Sequence, residues 1–136
     1  MNEQTISIDV FKKYPAIDEA KADALLKKEI EANETKIVVL DDDPTGVQTV
    51  HDVSVYTDWS RESIRKGFEE KNKLFYILTN SRGFTTEQTT AAHEEIASNI
   101  AAVAKDMGIR YIIMSRSDST LRGHYPLETE ILRKKL

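Results

Sequence analysis

Two kinds of hydrophobic pattern alternate along the chain after residue 35. Short unbroken apolar runs, Lys36-Ile-Val-Val-Leu40, Leu74-Phe-Tyr-Ile-Leu78 and Arg110-Tyr-Ile-Ile-Met114, predict strands buried on both faces, as in a parallel sheet between helix layers. Val53 to Thr57 alternates apolar with polar residues among charged neighbours, which predicts a further strand nearer an edge, its direction not specified by the pattern. Between the runs the period changes to that of a helix. Ser60 is placed to cap a helix over about 61–71, with Trp59 and Ile64 as a hydrophobic staple and Ile64 and Phe68 facing the core. Thr85 and Gln88 have the spacing of a capping box, Ile96, Ile100, Val103 and Met107 form one stripe, and Gly108 stands where a left-handed terminator is wanted. This alternation predicts an α/β fold, a mostly parallel sheet with helices on both faces in a Rossmann-like three-layer arrangement.

The two ends read differently. Ala16 to Asn33 is rich in Ala, Lys, Glu and Leu and predicts an amphipathic helix, with Pro15 suited to its start. Residues 1–35 are thus expected to form a helical arm, its first fourteen residues ordered only by packing on something else. Residues 36–136 are expected to be a partial α/β domain, because Pro126 to Leu136 opens a helix that no Gly, Asn or Pro closes.

Composition narrows the function. The 136 residues carry 19 basic and 23 acidic side chains and a net charge of −4, so broad attraction to nucleic acid or an anionic membrane is not expected. There is no cysteine for a disulfide or thiolate site, no signal-like apolar start and no membrane-length run, which makes the cytoplasm the default location. His51, His93 and His124 lack metal-ligand spacing; His93, inside the long helix, is expected at the surface, while His51 and His124 could line a pocket.

In doubly wound sheets ligands bind beyond the carboxyl ends of the strands, and all three apolar runs end in polar clusters. These are Asp41-Asp42-Asp43-Pro44-Thr45-Gly46, Thr79-Asn80-Ser81-Arg82-Gly83, and Ser115-Arg116-Ser117-Asp118-Ser119-Thr120-Leu121-Arg122-Gly123-His124. Adjacent carboxylates raise each other's pKa unless cations or donors answer them. Arg82, Arg116 and Arg122 are the local partners, and a polyhydroxy acid would suit the rest, its hydroxyls donating to Asp and its carboxylate taking a guanidinium. Taken singly, Asp42-Asp43-Pro44-Thr45-Gly46 is equally a polar turn and Asn80-Ser81-Arg82-Gly83 a capping loop.

In these clusters the chain resembles the N-terminal domain of the four-carbon acid sugar kinase family. Asp42-Asp43-Pro44-Thr45-Gly46 matches its Asp-Asp-x-Thr-Gly motif, Thr79-Asn80-Ser81-Arg82 its Thr-x-Ser-Arg motif, and Arg116 to Gly123 its Lys-x-Asp-Ser-Thr-Leu-Arg-Gly motif, with Arg116 for the usual Lys. The resemblance implies an acid-sugar-binding domain followed by an ATP-binding one, with Mg²⁺-assisted phosphoryl transfer to the terminal hydroxyl of a tetronate or 3-oxo-tetronate. It implies substrate-handling roles for Asp42 and Asp43, the candidate catalytic pair, and for Thr45, Gly46, Asn80, Ser81, Arg82, Arg116, Asp118, Ser119, Arg122 and Gly123. No Gly-rich phosphate loop is present among the five glycines, so ATP and Mg²⁺ are expected of the full-length family and not of this fragment, which by itself is expected to be inactive. Two rival readings stand beside it. Ile37-Val-Val-Leu-Asp41-Asp-Asp43-Pro-Thr45 also fits a haloacid-dehalogenase-like phosphatase with Asp41 as nucleophile and Asp43 as general acid on Mg²⁺. A non-catalytic remnant would bind ligand or self-associate through an exposed apolar surface.

Overall fold

A central strand with a parallel neighbour on each side organises the larger part of the molecule. The computed structural model describes residues 7–118 and 122–136. It divides into two units, Met1–Asn33 and Glu34–Leu136. In the first, a 3-10 segment, Ile8–Lys13, precedes α1, Glu19–Ala32. The helix starts at Glu19 and not beside Pro15, because Asp18 supplies the cap: its carboxylate accepts from the Lys21 amide at 3.0 Å. None of its residues is buried, and Leu25, Leu26 and Ile30 are exposed.

The second unit runs β1 (Lys36–Asp41), β2 (Val55–Tyr56), α2 (Arg61–Glu69), β3 (Leu74–Leu78), α3 (Thr86–Met107), β4 (Tyr111–Arg116) and α4 (Leu127–Lys135). The sheet order is β2-β3-β1-β4 and every pairing is parallel, with Asp41 opposite Leu78 on one side and Arg116 on the other. All four expected strands are present, and β2 is the short edge strand.

The helix signals operate as read. Ser60 Oγ accepts from Ser63 N, Thr85 and Gln88 form a complete capping box, and Gly108 closes α3 at φ 67°. α2 ends at Glu69, earlier than the pattern suggests, because Lys36 Nζ takes the Glu70 carbonyl and holds the chain against β1.

Val38 and Leu40, Phe75 and Ile77, Ile64 and Phe68, Ile96 and Ile100, Val103 and Leu132 form one core. Each fully buried large side chain in it contributes about 1.5–3 kcal/mol. Phe75 meets Tyr56 and Phe68 edge-on at 5.7 and 5.5 Å, joining β3 to β2 and α2. The helix α2 stands close enough for this only because residue 67 is glycine: a Cβ there would lie 2.6 Å from the Phe75 ring.

Crossover handedness orders the rest. The β2-to-β3 and β3-to-β4 connections, through α2 and α3, cross the sheet in the same direction, so right-handed crossovers place both helices on one face, where α4 joins them through Leu132. The β1-to-β2 connection runs the other way and belongs on the opposite face. That face buries Val39 and Tyr76 but leaves Ile112 and Met114 of β4 more than half exposed.

Candidate functional site

The change of direction after β1 fixes where a ligand can enter. Its outgoing chain turns to one face while those after β3 and β4 turn to the other, so the carboxyl end of β1 is a topological switch point on both sides. Asp41, Asp42 and Asp43 occupy it.

Asp42 is 1% exposed and joins the three strand ends. Arg82 donates to it through Nε (3.1 Å to Oδ2) and Nη2 (2.9 Å to Oδ1), and the Asp118 amide donates to Oδ2 at 3.1 Å. The backbone repeats the junction: Arg82 N donates to the Asp42 carbonyl at 3.2 Å and Thr79 N to the Asp41 carbonyl at 2.8 Å. A bidentate guanidinium–carboxylate pair with a third donor is among the stronger polar arrangements available. Arg82 is turned towards it by Asn80, which adopts φ 51°, ψ 29°, a left-handed conformation asparagine tolerates better than most residues.

Asp43 is also answered from within. Its Oδ1 accepts from the Thr45 amide (2.8 Å) and hydroxyl, and its Oδ2 lies 3.1 Å from Arg82 Nη1. The Thr45 hydrogen bonds, then the Arg82 and Arg116 charges, hold its carboxyl below the usual range. Thr45 itself is exposed.

Asp41 differs from both. It is 1% exposed and no side chain donates a hydrogen bond to either carboxylate oxygen among the described residues, though the Asp43 backbone amide lies near enough to favour its charged form. The nearest cation is Arg116, with Nη1 3.7 Å from Oδ1, an ion-pair distance beyond hydrogen-bonding range. Burial pushes the Asp41 carboxyl up, against the smaller opposing pull of Arg116 and the nearby Asp43 amide; the charges of Asp42 and Asp43 add to the rise. Gly46 lies against the carboxylate so closely that a Cβ there would fall 1.8 Å from Oδ2. The kinase resemblance left Asp41 out of the site. The strand's twofold alternation was the available signal, since it sets Asp41 on the face of Val39, away from Val38 and Leu40.

The outer rim is cationic. Arg116 is 44% exposed, and Arg122, 70% exposed, holds Asp118 Oδ2 through Nε and Nη2 at 2.8 and 2.6 Å. Gly123 backs onto the Asp118 carbonyl, 1.9 Å from where its Cβ would stand. Ser119 lies outside the described residues.

Ser81 turns away from this rim. Its hydroxyl is 3.0 Å from Thr79 Oγ1 and donates to Glu128 Oε1 at 3.0 Å, and Glu128 Oε1 lies 3.6 Å from His93 Nε2. All four residues are buried. The expectation that His93 is a surface residue is therefore corrected: it is 1% exposed, its Nδ1–H donating to the Thr89 carbonyl at 2.9 Å. It lies on the same side of α3 as Ile96 and Ile100, and α4 covers it through Glu128. His51, by contrast, is exposed and paired with Asp52 at 2.7 Å.

Among the described residues no group of three or more His, Cys, Asp or Glu is placed to hold a metal ion. Asp42 and Asp43 are occupied by Arg82, Thr45 and the Asp118 amide, so the two do not stand as a free pair of metal ligands. Also among the described residues, no helix is long and apolar enough to cross a membrane.

A family model described as a sugar-binding N-terminal domain matches residues 37–136. No curated protein and no solved structure matches the chain.

Proposed function

The chain belongs to the sugar-binding N-terminal domain family, and from that premise we propose that its three strand-end loops bind a four-carbon sugar acid, a tetronate or 3-oxo-tetronate, for phosphoryl transfer from ATP to the terminal hydroxyl. One observation carries the reading: the Asp42 carboxylate binds Arg82 and the Asp118 amide at once, so the loops after β1, β3 and β4 form a single polar surface.

In this reading Arg82 and Asp42 are the frame. Arg116 and Arg122, the more exposed cations, take the carboxylate of the acid and steady the anionic group that is transferred. Asp43, held ionised by Thr45 and Arg82, faces the acid's hydroxyls. Arginine at 116 favours a planar, two-point grip on a carboxylate where an ammonium would act as a point charge. Nucleotide and Mg²⁺ would be held by groups other than the loops described, and ATP would supply the phosphoryl group.

Binding is the direct test. D-erythronate or L-threonate should raise the melting temperature of the chain in a concentration-dependent way, because a ligand of the folded state stabilises by mass action. Arg116→Ala should weaken the shift, corresponding to at least about a tenfold loss of affinity for one missing charge-assisted contact. Arg82→Ala should abolish it by freeing the loops. An Arg82→Ala protein that folds and keeps the full shift contradicts the site.

A further inference from the structure

The turn after β3 sends two neighbouring side chains in opposite directions. Arg82 reaches Asp42 at the carboxyl end of β1, and Ser81 reaches Glu128 on α4. The first contact belongs to the site described above. The second lies inside the protein, with Ser81 0% and Glu128 1% exposed. Burying a carboxylate is costly, and its hydrogen bonds must return that cost. The packing of α4 does not ask for an acid there, since its other buried residues, Ile131 and Leu132, are apolar.

What Glu128 holds is the turn itself. Its Oε1 accepts from Ser81 Oγ at 3.0 Å, Ser81 Oγ lies 3.0 Å from Thr79 Oγ1, and Thr79 Oγ1 donates to the Asp41 carbonyl at 3.0 Å. A polar path therefore runs from α4 through two hydroxyls to the strand end that carries Asp42. Glu128 is held from its far side as well: His93 Nε2 lies 3.6 Å from Oε1, and the ring is fixed by its Nδ1–H on the Thr89 carbonyl at 2.9 Å. A bidentate guanidinium–carboxylate pair needs the two planes in register. Asn80 supplies the left-handed bend that aims Arg82, and Ser81 is the anchor that stops residues 80–83 from rotating about that bend. With its side chain 21% exposed, Arg82 has water as a competing partner once the anchor is removed.

We propose that Glu128 is a positioning residue of the sugar-acid site, acting through Ser81 to fix the turn that sets the Arg82 guanidinium on Asp42. The role rests on the sugar-acid reading and adds what keeps its frame in register. It also divides the turn between two tasks: Arg82 joins the loops that meet the acid, whereas Ser81, which the family resemblance makes a substrate contact, faces the interior and works through the backbone. Affinity for the acid thus depends on a side chain buried under α4.

The experiment pairs calorimetric titration of the whole chain with L-threonate and NMR observation of the Arg82 Nε–H, which donates to buried Asp42 and should exchange slowly with water. Ser81→Ala and Glu128→Leu should each weaken threonate binding about fivefold, the equivalent of one hydrogen bond, and speed Arg82 Nε–H exchange by at least as much. An acid that only stabilised the fold would lower the melting temperature and leave both readouts unmoved. The double variant should lose no more than either single one, because both remove the same contact. Glu128→Gln keeps an oxygen acceptor for Ser81 and should bind within about twofold of wild type. A folded Ser81→Ala chain with wild-type affinity and a protected Arg82 proton overturns the proposal, and so does a Glu128→Gln chain as weak as Glu128→Leu. Should Glu128→Leu fail to fold, Ser81→Ala, which removes one hydroxyl, decides the matter by itself. If the wild-type chain does not bind threonate, the sugar-acid reading falls, and the Arg82 exchange rates still decide whether Glu128 sets the turn.

Discussion

At the scale of single residues the site is a set of carboxylates sorted by their partners. Adjacent in sequence, Asp41 and Asp43 shift in opposite directions, Asp41 up by burial and Asp43 down by the Thr45 hydrogen bonds. The consequences for stability are opposite too. Asp43, with a depressed folded pKa, stabilises the fold above the unfolded value near 3.8, and this is lost as pH falls through the folded value. Asp41, with a raised folded pKa, favours the fold when protonated; stability falls as pH rises from 3.8 through the folded value and stays lower above it. The ligand-free Asp41→Asn chain should therefore melt above wild type at pH 7, with the difference narrowing towards pH 4. A thermal scan across that range checks it, and a variant that melts below wild type at pH 7 would make Asp41 a structural acid. The presence of four Asp, four Ser and three Arg in the strand-end clusters was plain from the sequence. Which of them partner one another was not, because Arg82 and Asp42 are forty residues apart in the chain and their bidentate geometry depends on the turn at Asn80.

At the scale of elements, local signals were the most legible. The capping box at Thr85, the stripe on α3 and the glycine at 108 specify that helix from short-range chemistry alone, and the structure keeps all three. Thr85→Ala should cost about 1 kcal/mol in denaturant unfolding, as a lost N-cap does. Burial of polar residues was less legible. His93 was misplaced because a lone histidine on a mostly polar helix surface looks solvated, and the residue that buries it, Glu128, belongs to another helix. Glu128 also receives the Ser81 hydroxyl, so it fastens α4 to both α3 and the turn before Arg82. Removing one partner of such a buried pair is expensive, and Glu128→Ala should lose about 3 kcal/mol by the same measurement. A loss below about 0.5 kcal/mol, typical of an exposed position, would mean the network holds nothing together.

At the scale of the whole molecule, the unbroken apolar runs foretold a parallel sheet, but burial on both faces was not met at β4, where Ile112 and Met114 are more than half exposed. Strand order was not encoded in those runs. It emerges from crossover handedness, which sets α2, α3 and α4 on one face and carries the chain after β1 to the other. That reversal turns three separate polar clusters into one surface at the carboxyl end of β1. The most direct test is amide chemical-shift mapping of the chain titrated with L-threonate. Residues 41–46, 79–83 and 115–118 should shift together and yield one dissociation constant. Shifts confined to one of these loops, or lying elsewhere on the molecule, would contradict a common sugar-acid site.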